Sequence, residues 1–222
     1  MKIENIKACV FDAYGTLFDV NSAAARCKKR LGNRWEGFAN SWRTTQLEYT
    51  WLRSLMKKHK NFWEITEDSL DHTMETFKIK KELRNELLDL YKKLSPYPEV
   101  IECLKVLKAK KFKIAILSNG TPDLLKGLIE SNNMQNYFDD IFSIETVGIY
   151  KPDPKVYEMP IKNYSCKPEN ICFMSSNTWD VSGGGVFGYN AVWVNRFNKV
   201  FDKLSYKPNF VIKNLNELID II

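Results

Sequence analysis

The sequence predicts an α/β protein with a parallel sheet and an all-helical module inserted after its first strand. Short apolar runs alternate with helical patterns along most of the 222 residues, which is typical of βαβ units and of a sheet covered by helices. From about residue 20 to residue 94 the pattern is helical and contains no convincing strand. With 44% hydrophobic and 13% aromatic residues, the chain can build a core, which excludes a disordered protein.

The predicted strands are short apolar runs that end at turn residues or at charges. They cover residues 8–13, 113–117, 171–175, 191–194 and 210–212. Helical spacing of apolar residues predicts helices over 101–111, 123–130, 155–164, 181–187 and 215–221. The order of these elements predicts parallel strands joined by helical crossovers.

Aromatic and leucine residues at helical spacing define the inserted module. They are Trp35, Phe38 and Trp42, then Leu47, Trp51 and Leu55, then Leu83, Leu87 and Leu90. The segment Ser95-Pro96-Tyr97-Pro98 has the turn residues of a return linker. We therefore expect a core domain formed by 1–19 and 95–222 and a helical cap domain over 20–94.

Composition excludes several classes of function. The 33 basic and 27 acidic residues give a net charge of +6 that is spread along the chain, which does not predict nucleic-acid binding. No apolar run approaches the ~18 residues of a membrane span, and the amino terminus does not resemble a signal peptide. Five cysteines without CxxC spacing and two histidines argue against a Cys/His metal centre. We expect a cytoplasmic protein.

Polar clusters follow the predicted strands, and ligands bind beyond the carboxyl ends of the strands in an open parallel sheet. The clusters are Asp12-Ala13-Tyr14-Gly15-Thr16, Ser118-Asn119-Gly120-Thr121, Lys151-Pro152 with Tyr157 one turn into the next helix, and Ser175-Ser176-Asn177-Thr178-Trp179-Asp180. A carboxylate beside a lysine, a second carboxylate and several hydroxyl and amide groups predict a nucleophilic site.

The sequence resembles the haloacid dehalogenase superfamily in four ordered motifs that span nearly the whole chain. They are Asp12-x-Tyr14-Gly15-Thr16-Leu17, Ser118-Asn119, Lys151-Pro152 and an acidic motif that ends at Asp180. The resemblance implies the haloacid dehalogenase fold, which is a Rossmann-like parallel core with an inserted helical cap.

Two departures from the phosphatases of this superfamily indicate one branch. Tyr14 stands where those enzymes have a second aspartate, and Asn177 lies in a motif that usually supplies acidic ligands for Mg²⁺. The sequence is similar here to the L-2-haloacid dehalogenase (type II) branch, which works without metal or cofactor. The segment Ser41-Trp42-Arg43, followed by Gln46-Leu47-Glu48-Tyr49, resembles the arginine-bearing cap helix of that branch.

The resemblance implies a role for each matching residue. Asp12 is expected to attack C2 of an L-2-haloacid, with Arg43 and Asn119 binding the departing halide, and Ser118 and Lys151 binding the carboxylate. Thr16 and Ser175 are expected to position Asp12, while Asn177 and Asp180 orient Lys151 and the hydrolytic water within a network that includes Tyr157. Tyr14, Leu47, Phe62 and Trp179 are expected to form an apolar wall around the halogen and alkyl group.

Several alternatives remain open from the sequence. A Mg²⁺-dependent phosphatase of small esters is the main rival, and a catalytically weak ligand-binding relative is the third. Arg43 can equally be solvated or paired with Glu36 or Glu48. The resemblance also implies a homodimer, with Trp35, Trp42 and Trp51 either at the interface or inside the cap. Gly183-Gly184-Gly185 lacks a phosphate-loop pattern and predicts close packing between a helix and the sheet.

Overall fold

The protein is built around a six-stranded parallel sheet, which a computed structural model describes for residues 2–222. The strands are β1 (Ala8–Phe11), β2 (Lys113–Ser118), β3 (Asp140–Ser143), β4 (Ile171–Ser175), β5 (Asn190–Val194) and β6 (Phe210–Ile212). Their order in the sheet is β3-β2-β1-β4-β5-β6. Because β1 lies between β2 and β4, the residue that follows β1 lies at the middle of the carboxyl edge.

Ten α-helices accompany the sheet within residues 2–222. They are α1 (Ser22–Arg26), α2 (Lys28–Leu31), α3 (Trp35–Leu55), α4 (Phe62–Thr76), α5 (Arg84–Tyr91), α6 (Val100–Ala109), α7 (Pro122–Ser131), α8 (Pro154–Tyr164), α9 (Thr178–Phe187) and α10 (Leu218–Ile221). Helices α6 to α9 contact the strands, while α1 to α5 lie in the chain between β1 and β2. The parallel α/β fold class predicted from the sequence is confirmed.

One strand was not predicted, and one ends earlier than predicted. Strand β3 is a four-residue edge strand whose Ile141 is 42% exposed, so it lacks the continuous apolar run of a central strand. Strand β1 ends at Phe11, two residues before the predicted end. The chain leaves the sheet there because a tight turn follows, in which Gly15 has a φ of +90° that disfavours other residues.

The helices between β1 and β2 form a packed unit of their own. Helices α3 and α4 pack along each other, and α1 contacts both α3 and α5. Their inward faces bury Phe38, Ile65 and Leu87 completely. Trp42 is also buried, and its Nε1 donates to the backbone oxygen of Thr66 at 3.1 Å. Of the two alternatives that the sequence left open for Trp42, the structure therefore places it inside the cap.

The two chain segments that connect the helical unit to the sheet run side by side. Asp19 N donates to Ser95 O at 2.8 Å, and Tyr97 N donates to Leu17 O at 3.0 Å. On the opposite side, the Tyr150 hydroxyl donates to the backbone oxygen of Lys60 at 2.7 Å. The helical unit thus lies across the carboxyl edge of the sheet.

Within residues 2–222, no helix combines the length and the apolar character that a membrane crossing requires.

Candidate active site

The carboxylate of Asp12 lies at the centre of the carboxyl edge and is buried. Its Oδ2 accepts hydrogen bonds from Thr16 Oγ1 at 2.9 Å and from Asn177 Nδ2 at 2.8 Å, and Ser175 Oγ lies 3.5 Å away. Its Oδ1 faces Lys151 Nζ at 3.3 Å. One oxygen is thus fixed by neutral donors, while the other faces only a cation.

Lys151 lies between two carboxylates. Its side chain is fully buried, and Nζ is 2.9 Å from Asp180 Oδ2 as well as 3.3 Å from Asp12 Oδ1. A buried ammonium group is stable only when it is paired and hydrogen-bonded. Tyr157 completes the network, because its hydroxyl donates to the second oxygen of Asp180, Oδ1, at 2.8 Å.

Burial controls the protonation of this network. It raises the pKa of Asp180 from 3.8 to about 6, because the loss of solvent outweighs the attraction of Lys151, and the charge of Asp12 adds to the rise. Burial also raises the pKa of Tyr157 well above its ordinary value, and the neighbouring Asp180 adds to that rise. Tyr157 is therefore a neutral hydrogen-bond donor at neutral pH.

The loop after β2 holds Lys151 through its backbone. Asn119 Oδ1 accepts from the backbone nitrogen of Lys151 at 3.1 Å. Ser118 Oγ accepts from the backbone nitrogen of Gly120 at 3.1 Å, and both polar side chains are buried. The Ser118 hydroxyl hydrogen is not used in that bond.

Helix α3 brings Arg43 to the same edge. Its Nη2 lies 3.4 Å from the backbone oxygen of Tyr14, and Nη1 donates to Gln46 Oε1 at 2.9 Å. Among residues 2–222, Arg43 forms no ion pair with a carboxylate, so the alternative pairing with Glu36 or Glu48 is wrong. Arg43 is a half-buried cation whose partners are neutral oxygens.

Aromatic side chains form the apolar part of the site. The Tyr14 ring packs between Phe62 and Tyr91, with ring centroids 5.1 and 5.8 Å apart. The Tyr14 hydroxyl is buried without a hydrogen-bond partner. Trp179 packs edge-to-face against Trp51 of α3, at 5.4 Å between ring centroids.

Leu47 is half-buried on α3, about one turn after Arg43. It therefore lies on the part of the helix that carries Arg43.

The structure differs from the expectation for Asn177. This amide was expected to orient Lys151, but its Nδ2 donates to Asp12 Oδ2 and, at 3.1 Å, to the backbone oxygen of Tyr14. Asn177 follows β4, which pairs with β1, and its amide therefore reaches Oδ2 of Asp12. Lys151 contacts the other carboxylate oxygen, Oδ1. Of the two residues expected to orient Lys151, Asp180 contacts it directly and Asn177 does not.

Three further residues contact this site, although they were not among the predicted site residues. Gln46 and Tyr91 join Arg43 and Tyr14 from the helical unit, and Trp51 supports Trp179. Gln46 carried the clearest signal, because it is a polar residue three positions after Arg43 on a helix with an apolar face. The Gly183 to Gly185 segment lies within α9, where added Cβ atoms would meet Tyr157 and Phe173, and the predicted close packing is confirmed.

Comparisons with known proteins agree with this geometry. The model of the haloacid dehalogenase-like hydrolases matches residues 6–188. (S)-2-haloacid dehalogenase 1 of Pseudomonas sp. (strain CBS-3) is 41% identical over 99% of this chain and 98% of its own. Haloacetate dehalogenase H-2 of Moraxella sp. (strain B) is 34% identical over 99% of each chain.

A solved structure gives the same result in three dimensions. The L-2-haloacid dehalogenase of Xanthobacter autotrophicus, with chloropropionic acid covalently bound, has a TM-score of 0.89 and 32% identity, and 96% of each chain is covered. The match to the family model spans well over half of the residues, and the curated relatives are covered almost end to end. The chain therefore belongs to the haloacid dehalogenase-like hydrolase family.

Proposed function

We propose that this hydrolase removes halide from short-chain L-2-haloalkanoic acids and yields D-2-hydroxy acids through an ester at Asp12. The observation that carries the proposal is the environment of Asp12. One carboxylate oxygen is fixed by three polar side chains, the other is turned toward a cation, and the residue two positions later is the tyrosine Tyr14. The names of the relatives above, which act on haloacids, support the same chemistry.

In the first step, Asp12 Oδ1 attacks C2 of the substrate from the side opposite the halogen. The new bond is between Oδ1 and C2, the carbon–halogen bond breaks, and the halide leaves with the bonding electron pair. Because a halide needs no proton to leave, the step requires no general acid, and a tyrosine is tolerated at position 14. Arg43 receives the halide, since a permanent cation stabilises the charge that develops there.

Substrate binding uses the groups around that attack line. Ser118 and Lys151 bind the carboxylate, and Asn119 is a further donor near the halide. Tyr14, Leu47, Phe62 and Trp179 surround the halogen and the alkyl group with apolar surface. This surface excludes water and strengthens the interactions of the charged groups inside.

In the second step, water attacks the carbonyl carbon of the Asp12 ester. Asp180 accepts the proton, and its raised pKa suits a base that works near neutral pH. Negative charge then develops on Oδ2, which is the oxygen that Thr16 and Asn177 already contact at 2.9 and 2.8 Å. The bond between the carbonyl carbon and Oδ1 then breaks, and Asp180 returns its proton to Oδ1, so the product alcohol keeps an oxygen from Asp12. The proton that remains on the new Asp12 carboxyl group is released to solvent.

We also propose that the reaction needs no metal ion. The ammonium group of Lys151 lies between Asp12 and Asp180, where a divalent cation would otherwise bridge the carboxylates. Asn177 presents its amide nitrogen to Asp12, and an N–H donor cannot bind a cation. This donor set disfavours the phosphatase alternative.

The first experiment measures halide release from L- and D-2-chloropropionate, each with and without EDTA. We expect release from the L isomer alone and no effect of EDTA. A parallel assay uses p-nitrophenyl phosphate with Mg²⁺. Phosphate release without halide release would overturn the proposal in favour of a phosphatase, and silence in both assays would favour a binding protein.

Isotope labelling tests the covalent step. In a single turnover in H₂¹⁸O with enzyme in excess, the hydroxy acid should contain unlabelled oxygen and Asp12 should gain the label. Labelled product in the first turnover would instead show direct attack by water. Asp12→Ala should abolish halide release while the fold is retained, and Arg43→Ala should lower kcat severely.

We propose the division of the chain into a core of 1–19 and 95–222 and a cap of 20–94. The side-by-side pairing of Asp19 with Ser95 supports it, because both connections cross between the units at one place. Limited proteolysis should cut first near these connections, and cleavage inside α3 would contradict the division.

We propose a homodimer that forms through the carboxyl-terminal part of α3. Leu52, Leu55 and Met56 are 43%, 79% and 59% exposed there, beside a groove of about 430 Å³ between α3 and α4 that Tyr49 and Asp71 also line. Sedimentation should give twice the chain mass, and Leu55→Glu with Met56→Glu should give monomers. A monomeric native protein would exclude the dimer.

We further propose a cytoplasmic location. All five cysteines are free, and four of them are buried, which suits a reducing compartment. Fractionation of the producing cells with an antibody against the protein tests this location.

A further inference from the structure

A small polar cavity adjoins Arg43 and is separate from the carboxylates of the site. Its volume is about 130 Å³, which is enough for a halide ion with a few waters at about 30 Å³ each. Arg43 and Asn177 form part of its wall. Ser176, Arg196 and Lys199 line it as well.

The wall shared with the catalytic centre is one layer of side chains thick. The backbone oxygen of Tyr14 accepts from Asn177 Nδ2 at 3.1 Å and faces Arg43 Nη2 at 3.4 Å. The same Asn177 nitrogen also donates to Asp12. Because Arg43 also lines the cavity, an ion bound by Arg43 is already next to it.

The lining is suited to an anion. It includes three cationic side chains, those of Arg43, Arg196 and Lys199, together with four asparagine amides, and none of the lining residues is acidic. Glu99 lies behind Arg196 and forms an ion pair with its Nη1, so Arg43 and Lys199 supply the net positive charge. Neither of these two cations forms an ion pair among residues 2–222.

Two buried donors of the lining lack a partner. The Arg196 side chain is only 7% exposed, and its Nη2 donates to the backbone oxygen of Thr16 at 2.7 Å. Its Nε is buried without a hydrogen-bond partner, and so is the hydroxyl oxygen of Ser176. Buried N–H and O–H groups are normally satisfied, and both unpaired groups belong to residues around the same cavity. As unpaired N–H and O–H groups of lining residues, they favour an anion over a cation in the cavity.

In the proposed reaction, the halide forms before the organic product is released, so a separate outlet for the halide would be useful. Halide forms in the first step, while the organic group stays attached to Asp12 until water cleaves the ester. During that interval the ester occupies the Asp12 side of Arg43. An outlet on the other side of Arg43 lets the halide leave before hydrolysis.

We propose that this cavity is a halide site and the route by which halide leaves Arg43. The inference rests on the proposed dehalogenase function, but the binding of halide there can be measured without turnover. Arg43 and the exposed Lys199 both line the cavity, so in this proposal the ion moves from Arg43 to solvent beside Lys199.

The direct test is a crystal of the native protein soaked in sodium bromide and measured at the bromine absorption edge. We expect an anomalous peak inside the cavity, in contact with the Arg43 or the Lys199 cation. Water density without an anomalous signal, or bromide only on the Asp12 side of Arg43, would overturn the proposal. Because no turnover is needed, an inactive protein with the peak would refute the dehalogenase function and leave the anion site standing.

A solution test uses bromide inhibition at constant ionic strength. Lys199→Gln should raise the inhibition constant of bromide about fivefold, because it removes one cation at the cavity mouth. Lys203→Gln is the matched control, because this exposed lysine of the same loop does not line the cavity; its inhibition constant and activity should equal those of the native enzyme. Equal inhibition constants for both variants would contradict the outlet.

Discussion

Gln46 Oε1 accepts a hydrogen bond from Arg43 Nη1 at 2.9 Å, and this bond fixes the guanidinium from within its own helix. Gln46 is only 1% exposed. Its Nε2 donates to Thr66 Oγ1 at 2.7 Å and lies 3.0 Å from the Tyr91 hydroxyl. The amide is thus held by α4 and α5, and the position of Arg43 depends on the packing of three helices.

Gln46→Met should reduce kcat about 10- to 100-fold, because a hydrogen bond to a charged group contributes about 1.5–3 kcal/mol. The Michaelis constant should change little if Arg43 acts mainly on the departing halide. Tyr91→Phe removes a smaller part of the network and should have a smaller effect. Steady-state kinetics with chloro and bromo substrates checks this, and a native kcat for Gln46→Met would show that Arg43 positions itself.

The pH dependence of ester hydrolysis should follow Asp180. Its pKa is raised to about 6, so the ionised form that accepts a proton from water is lost as the pH falls below that value. The aspartyl ester should then accumulate in acid, because hydrolysis slows while the ester still forms. Quenched-flow mass spectrometry of the Asp12 adduct between pH 5 and pH 8 measures this, and a constant amount of ester would remove Asp180 as the base.

The same raised pKa should make the folded protein more stable in acid, although it slows ester hydrolysis there. The folded protein binds the Asp180 proton more tightly than the unfolded chain, whose aspartate has a pKa near 3.8. The contribution of this group to the free energy of unfolding is therefore fully present below pH 4 and declines as the pH rises to about 6. Urea unfolding at several pH values in this range measures the effect. The free energy of unfolding should depend on pH differently in the native protein and in Asp180→Asn.

Lys151→Met should destabilise the fold by about 3–5 kcal/mol, because it leaves two buried carboxylates without their shared cation. The double variant Lys151→Met with Asp180→Asn should regain part of that stability and remain inactive. Urea denaturation and halide release measure the two effects separately. Equal stability of the single and double variants would show that the buried charges are not the cause.

Tyr14→Phe should retain most of the activity and change the free energy of unfolding by less than about 1 kcal/mol in either direction. The reason is that the Tyr14 hydroxyl is buried without a partner, so only the ring contributes to the site. Halide release and thermal unfolding of this variant are the measurements. A loss of activity of 100-fold or more would show that the hydroxyl takes part in the reaction.

The sequence by itself determined the parallel α/β class, the helical insertion and the set of polar residues at the strand ends. It could do so because buried strands leave continuous apolar runs and because the residues after parallel strands share one edge of the sheet. Strand β3 was missed since an edge strand with Ile141 exposed needs no such run.

Only the tertiary structure decided which of these residues touch. Asn177 binds Asp12 and not Lys151, and Gln46 and Tyr91 reach the site from helices far apart in the chain. Such contacts depend on how the helical unit lies across the sheet and on the direction of each side chain. Spacing along the sequence encodes neither, because long-range packing fixes both.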